Sequence, residues 1–452
     1  MIQFDLQQAA ELTGGVLHRP EQNGVAENFV GMTQDSRNLR AGNLYAALVG
    51  ERFDGHRFLA DVAASGAAAA LVSRRVDAPI AQIQVDNVVR AMGDLARAWR
   101  SRMPARLVGV TGSNGKTTVK TMLAAVLSRC APTLATRGNF NNELGVPLTL
   151  SALGDQHRYG VIEMGCGQPG DIQYLASIVA PQVGLVTNAG PAHLERLGSV
   201  EGVARTKGEL FSSLGAHGIA VINRDDAFFE FWCGLCENAR VLSFGIHPQA
   251  EVRWVSEARH DWVETPNGRF ELQLQLPGRH NRLNALAATA AALALGLDLD
   301  PIAAGLAGVG SLPGRLNARQ MPGDWTLIDD SYNANPASTR AALEVLAETA
   351  GKRWLVLGDM AELGGDAELL HSEIGQAARQ MGVDRLFAIG RRAAFAADAF
   401  GVGAEHFDCI EDLAQRLAEE LEPGLTCLVK GSRSMQMDQV VARLHAAEAA
   451  RC

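Results

Sequence analysis

The run Gly109-Val110-Thr111-Gly112-Ser113-Asn114-Gly115-Lys116-Thr117-Thr118 puts glycines, one lysine and paired hydroxyls between an apolar stretch and a helical pattern. The pattern is carried by Val119, Met122, Leu123, Val126 and Leu127. Glycines let backbone N–H groups turn inward around an anion, and a helix start adds a favourable dipole. In that context Lys116 suits the outer phosphates of a nucleoside triphosphate and the Thr117 hydroxyl suits magnesium. Gly112, Ser113, Asn114, Gly115 and Thr118 complete the cradle. The glycine spacing is not the usual one for such loops, so a glycine-rich turn with an incidental lysine is the competing reading.

Other groups stand where apolar runs end. Glu163 follows residues 160–162, and His193 lies beyond 183–186, after Thr187-Asn188-Ala189-Gly190. A carboxylate and an imidazole are groups that a magnesium–phosphate site can recruit. Taken singly, each reads at least as well as a solvated glutamate or a hydrogen-bonded loop histidine. Lys207, on spacing alone, reads as a solvated helix lysine. Trp232-Cys233-Gly234-Leu235-Cys236 has the look of a redox pair, but it follows a Phe-rich stretch, and no second pair could complete a zinc tetrad. These two read as packing cysteines.

The elements behind these groups divide the 452 residues into three. Residues 1–83 alternate short apolar runs with polar turns and read as a small α/β domain. Helical spacing over 88–99 leads into a second segment, 84–313, whose apolar runs 107–110, 160–162, 183–186 and 219–222 suit strands covered on both faces. Such sheets place chemistry at their carboxyl ends. The third segment, 314–452, repeats the logic at 325–328, 354–357, 385–389 and 426–429, with helical patterns at 337–346 and 413–421, as in a dinucleotide-type fold. The fold class expected is therefore α/β, with a central parallel-sheet ATPase-like domain and a C-terminal Rossmann-like one.

Composition narrows the function. Apolar residues are 47% and charged residues 20%, enough to build cores and to exclude wholesale disorder. A net charge of -9, without a basic block, argues against nucleic acid as a partner. Residues 1–15 lack a basic-then-apolar leader pattern, and the longest near-apolar stretch, 283–297, is too short for a span of about 30 Å of hydrocarbon. It reads as a buried Ala-rich helix. Seven scattered cysteines make no disulfide framework and fit a reducing, cytoplasmic compartment.

The whole series of motifs resembles the Mur ligase family. Thr111 to Thr118 is similar to its ATP loop. Asn139-Phe140-Asn141-Asn142-Glu143-Leu144-Gly145-Val146-Pro147, Glu163-Met164-Gly165, Asn188 with His193, Gly278-Arg279-His280-Asn281, Pro313-Gly314-Arg315 and Asp329-Asp330-Ser331-Tyr332-Asn333-Ala334-Asn335-Pro336 follow in the family's order. Asp35-Ser36-Arg37, Phe53-Asp54-Gly55-His56, the run Leu357 to Gly364 and Val429-Lys430-Gly431-Ser432-Arg433-Ser434 resemble one branch of it. That branch joins D-alanyl-D-alanine to UDP-N-acetylmuramoyl-tripeptide in peptidoglycan precursor synthesis. The alternative is the sibling branch that adds the third residue to the dipeptide precursor, whose Asp-Asn-Pro-Arg signature is absent here.

The resemblance implies an ATP- and magnesium-dependent ligase acting through an acyl phosphate. It implies Thr33, Gln34, Asp35, Ser36 and Arg37 near the UDP end, and Asn139, Asn142, Asn188, Lys430, Ser432 and Arg433 near the substrates. Asn281, Asn284, Asn333 and Asn335 fall to adenine and ribose, with Asp330 beside the ribose and Arg315 reaching a phosphate. It implies two ions, one near Thr117 and Glu163 and one near His193, and a CO2-derived carbamate on Lys207 as an extra oxygen donor. Lys116, Lys207, His193 and Glu163 carry the chemistry in this scheme, and the chain is expected to act as a monomer.

Overall fold

A computed structural model describes residues 1–20, 26–51, 53–258 and 260–451, with side chains given up to residue 446. The four apolar runs of the second segment become neighbours in one nine-stranded sheet. From its edge the order runs Thr133–Ala135, Tyr159–Glu163, Arg106–Thr111, Val183–Val186, Ile219–Asn223, Arg240–Gly245 and Val252–Glu257, all parallel. Two antiparallel strands, His260–Thr265 and Gly268–Glu271, extend it.

Both faces are covered, which explains continuous rather than alternating apolar runs. Val108 and Val110 point into a core with Val119, Met122, Leu123 and Val126 of helix Lys116–Ser128 and with the Ala-rich helix Arg279–Ala294. Leu107 points the other way, into a core shared with Met92 and Leu95 of helix Val88–Ser101 and Ile172 of helix Asp171–Val179. Each fully buried side chain of this size contributes about 1.5–3 kcal/mol over leaving it exposed. The sheet is thus the rigid part from which the phosphate loop projects.

The first segment centres on five strands in the order Val16–His18, Ala81–Gln84, Ala69–Val72, Leu44–Ala46 and Met32–Thr33, parallel except for the first pair. Its strand Ala81–Gln84 ends one residue past 83. Ile2, Phe4 and Phe29 pack into the same core as helix Val88–Ser101, so this unit is seated on the central one.

The third segment has six strands in the order Asn317–Met321, Trp325–Asp330, Leu425–Lys430, Lys352–Gly358, Arg385–Ile389 and Ala404–Phe407. All are parallel except the first, an edge strand that the apolar pattern did not flag. Pairing of Trp325–Asp330 with Leu425–Lys430 sets Asp330 directly beside Lys430 at the carboxyl ends of the strands. The architecture is the expected α/β one, and among the described residues no helix is long and apolar enough to cross a membrane. The six described cysteines are free, and Cys452 lies outside the described residues.

Candidate functional site

The phosphate loop leaves strand Arg106–Thr111 and enters helix Lys116–Ser128 at the floor of a cleft of about 1270 Å³ between the second and third segments. Two glycines are dictated by geometry. Gly112 has φ +146, and a Cβ on it would lie 1.8 Å from Thr187 Oγ1; Gly115 has φ +81, and a Cβ there would lie 2.3 Å from Asn284 Oδ1. The back of the loop is tied to the chain after strand Val183–Val186. Ser113 N donates to Asn188 O at 3.0 Å, Asn114 N to Asn188 Oδ1 at 3.0 Å, and Thr187 Oγ1 to Asn114 O at 2.6 Å. Asn188, expected at the substrate, also donates from Nδ2 to Asn114 O at 3.2 Å, so its amide shapes the loop from the cleft wall.

Lys116 donates to Gly112 O at 2.6 Å and Ser113 O at 3.3 Å, turning its ammonium onto its own loop. Loss of water around that ammonium, and next the charge of Lys207, hold its pKa down to about 8.

Glu163 ends strand Tyr159–Glu163, one strand over from the loop, and is 2% exposed. Its Oε1 accepts from Asn141 Nδ2 at 2.8 Å, while Oε2 has no hydrogen-bond partner and lies 3.6 Å from Lys120 Nζ. Burial holds the pKa of Lys120 below the ordinary lysine range. A buried carboxylate oxygen without a donor, in a cleft that Thr117 also lines, fits a divalent cation. Among the described residues no three His, Cys, Asp or Glu side chains gather into a full cage. Magnesium held here would therefore take the remainder of its shell from phosphate and water, as it does at nucleotide sites.

Lys207 corrects its reading from spacing. It is 2% exposed, with Nζ 3.5 Å from Cys166 Sγ. On helix Val200–Ser212 it falls on the inward stripe with Val203, Ala204, Leu210 and Phe211. Its charge had argued for solvent, and packing on this apolar stripe overrides it.

His193 lies at the cleft in the left-handed region, at φ 56, ahead of the short helix Leu194–Leu197. Its Nδ1 is 2.5 Å from Oε2 of Glu362, a third-segment residue that is also left-handed, at φ 62. That contact holds the Glu362 carboxyl below the usual range. Left-handed backbone costs about 1–2 kcal/mol for a residue with a Cβ. A half-exposed ion pair returns about 0–1 kcal/mol. Stability does not explain this meeting.

The third segment closes the other wall. Arg315 Nη2 donates to Thr117 Oγ1 at 2.9 Å, and Asn335 Nδ2 donates to Asn114 Oδ1 at 2.7 Å. Asn335 also caps helix Pro336–Ala347 by accepting from Ser338 N, so the turn role and the site role coexist. Lys430 Nζ is 2.5 Å from Asp330 Oδ2 and donates to Asn333 O at 2.9 Å. Burial outweighs that cation and holds the Asp330 carboxyl above its ordinary value. Asn284 Nδ2 donates to Asn281 Oδ1 at 3.1 Å, and Arg433 and Asn139 line the same cleft. Asn142 lines it too, with its side-chain Oδ1 accepting from Gly145 N at 2.9 Å at a helix start.

Some expected residues lie elsewhere. Ser432 is 2% exposed, and its hydroxyl accepts from Ala361 N at 2.7 Å and donates to Ala334 O at 3.3 Å, so it ties two turns together behind the cleft. Thr33, Gln34, Asp35, Ser36 and Arg37 do not line the cleft. Asp35 accepts from Arg37 N at 3.0 Å and Nε at 2.9 Å, and Gln34 Oε1 is buried. Reasoning from residue types missed Lys120 and Cys166; His280 also lines the cleft, and burial pushes its pKa down to about 4. Of these, Lys120 was within reach of the sequence, one helical turn past Lys116. Cys233 and Cys236 face packing, not the cleft, and burial pushes the Cys236 thiol up to about 12.

Comparison with known proteins follows the same division. The Mur ligase middle domain matches residues 110–292, the Mur ligase glutamate ligase domain matches 314–433, and the Mur ligase family catalytic domain matches 28–100. The UDP-N-acetylmuramoyl-tripeptide–D-alanyl-D-alanine ligase of Escherichia coli is 42% identical over 454 residues, covering 98% of this chain and 99% of its own. The crystal structure of MurF from Acinetobacter baumannii superposes with a TM-score of 0.90 at 34% identity, covering 98% of this chain and 99% of that one. MurF from Thermotoga maritima in complex with ADP gives a TM-score of 0.83 at 28% identity, covering 94% and 99%.

Proposed function

The chain belongs to the Mur ligase family, and on that premise we propose that it is the ATP-dependent ligase that joins D-alanyl-D-alanine to UDP-N-acetylmuramoyl-tripeptide. The observation that carries this reading is the single cleft into which the central sheet brings Lys116, Thr117 and Glu163 and the third sheet brings Arg315 and Asn335.

The work divides by segment. Residues 1–83 take the UDP end through 33–37, residues 84–313 take ATP, and residues 314–452 close over both. Closure matters because an acyl phosphate open to water would hydrolyse before an amine captured it. The tripeptide carboxylate attacks the γ-phosphate and ADP leaves. The amine of D-alanyl-D-alanine then attacks the activated carbonyl and phosphate leaves.

Both reactants of the first step are anions, so the site's task is to supply positive charge. Lys116 and the loop amides serve the β- and γ-phosphates, and the forked donors of Arg315 can leave Thr117 for a phosphate oxygen. Magnesium, when bound, adds charge to the phosphates; Thr117 and Glu163 would hold one ion, and His193 a second. Lys207 Nζ can bond the carbon of CO2 and lose a proton, becoming an anionic oxygen donor toward that second ion. Asn281, Asn284, Asn333 and Asp330 face the adenosine portion, and Asn139, Asn142, Lys430 and Arg433 the peptide. On this reading the chain acts as a monomer in the cytoplasm; among the described residues no helix is long and apolar enough to cross a membrane.

The test is phosphate release with product analysis. Purified protein with ATP, magnesium, the UDP-tripeptide and D-alanyl-D-alanine is expected to yield ADP, phosphate and the pentapeptide precursor. Turnover only with the dipeptide precursor and a single amino acid would instead assign the sibling reaction.

A further inference from the structure

The His193–Glu362 contact joins two segments whose backbones are fixed independently. His193 follows the central strand Val183–Val186, and Glu362 follows the third-segment strand Lys352–Gly358. The turn carrying Glu362 is pinned on both sides. Met360 N donates to His371 Nε2 at 2.9 Å, Ala361 N donates to Ser432 Oγ at 2.7 Å, and Leu363 is buried in the core. The backbones meet as well, Glu195 N donating to Glu362 O at 3.4 Å. The carboxylate is therefore aimed by the third segment's core, and it reaches His193 only when that segment is docked.

A carboxylate that accepts from Nδ1–H holds an imidazole in one tautomer and one orientation, with the Nε2 lone pair free. We propose that Glu362 is a positioning residue that fixes His193 in the form able to bind a cation through Nε2, so that docking of the third segment completes the second cation site. The proposal rests on the reading of His193 as a cation ligand. It makes the chemistry conditional on closure: with the third segment swung away, His193 loses its orienting partner and the site is incomplete. It also gives Ser432 a task, since its hydroxyl holds the Glu362 turn.

The test uses the full chain with 15N-labelled histidine, free of metal and nucleotide, at alkaline pH where imidazoles are neutral. His193→Gln identifies the His193 ring signals. In the unaltered protein, and in Glu362→Gln, whose amide oxygen still accepts, His193 is expected with its proton on Nδ1. In Glu362→Ala that preference should disappear. In turnover assays Glu362→Ala should need about 10- to 100-fold more magnesium for half-maximal rate, with little change in KM for ATP at saturating metal. Glu362→Gln should recover most of that loss. Glu362→Asn, a residue at ease at positive φ, is measured alongside so that backbone strain is not mistaken for loss of the carboxylate, and it should behave as Glu362→Ala does. Unchanged His193 ring signals, or an unchanged magnesium requirement in both Glu362→Ala and Glu362→Asn, overturn the proposal while leaving the ligase reading intact. An unaltered protein that forms no product would overturn the ligase reading instead.

Discussion

Arg315 donates from Nη2 to the Thr117 hydroxyl at 2.9 Å, although the two are 198 positions apart in the chain. The guanidinium is steadied by the Tyr332 ring, whose centroid is 4.2 Å from Arg315 Cζ. A residue of the third segment thus touches the hydroxyl for which we propose a magnesium role. A cation on that hydroxyl would repel the guanidinium beside it, so under the proposed scheme nucleotide entry draws the arginine from Thr117 to a phosphate oxygen.

Arg315→Ala should lower kcat/KM for ATP by about 100-fold, the scale of losing one donor to developing charge. Arg315→Lys should recover little, because an ammonium neither forks across two oxygens nor stacks on Tyr332 in the same way. Steady-state kinetics with ATP as the varied substrate decide it; a lysine variant close to the unaltered enzyme would contradict the forked role.

The state of Lys116 should be visible in the pH dependence of ATP use. With Lys207 free of carbamate, the Lys116 pKa is about 8 in the free enzyme, so the ammonium is present below that pH and lost above it; a carbamate on Lys207 moves the loss to higher pH. The profile of kcat/KM for ATP should therefore fall as pH rises through about 8, since this parameter reports the free enzyme. The sign for folding is opposite. Burial disfavours the charged form only in the folded chain, so the destabilisation is present below about 8 and relieved as pH climbs toward 10.5. Lys116→Arg should remove the inflection in the kinetic profile.

Lys207 gives a spectroscopic prediction. Protein equilibrated with 13C-bicarbonate should show a carbamate carbon signal that disappears in Lys207→Ala, along with ligase activity. A small carboxylate added to the Ala variant should restore part of the rate. Full activity in Lys207→Ala would remove the carbamate from the scheme.

Gly112→Ala places a methyl 1.8 Å from Thr187 Oγ1 at a φ of +146. Both the clash and the backbone conformation oppose it, so the loop must move. The variant should lose more than about 1 kcal/mol of stability and most of its nucleotide affinity. Thermal unfolding with and without ADP measures the two effects separately: the ADP-induced rise in Tm should shrink.

Much of this was legible in the residues because strand runs and loop glycines are local signals. Residues 107–110, 160–162, 183–186 and 219–222 all became neighbouring strands, and Gly112 and Gly115 occupy backbone that a side chain would obstruct. Lys207 was read as solvated, as its residue type suggests, and packing on the stripe 203, 204, 207, 210 and 211 buries it instead. The partnerships of Glu163 with Asn141, His193 with Glu362 and Arg315 with Thr117 were beyond any spacing rule. The first follows from the strand order of the central sheet, and the other two from how the third segment docks against the second.

The Asp330–Lys430 pair tests how far the third segment's nucleotide wall relies on buried charge. The two sit opposite each other on paired strands, 2.5 Å apart, and Lys430 is 2% exposed. Removing one partner leaves the other charged and desolvated, at a cost of about 3–5 kcal/mol. Asp330→Asn and Lys430→Met should each show a loss of that order in denaturant unfolding. In the double variant no unpaired charge remains, so its loss should be smaller than the sum of the single losses by about 1 kcal/mol or more. ATP affinity should stay low in Asp330→Asn and in the double variant, because restoring neutrality repairs the core without restoring the carboxylate that faces the ribose. A double variant whose stability loss equals the sum would show that the two charges act independently.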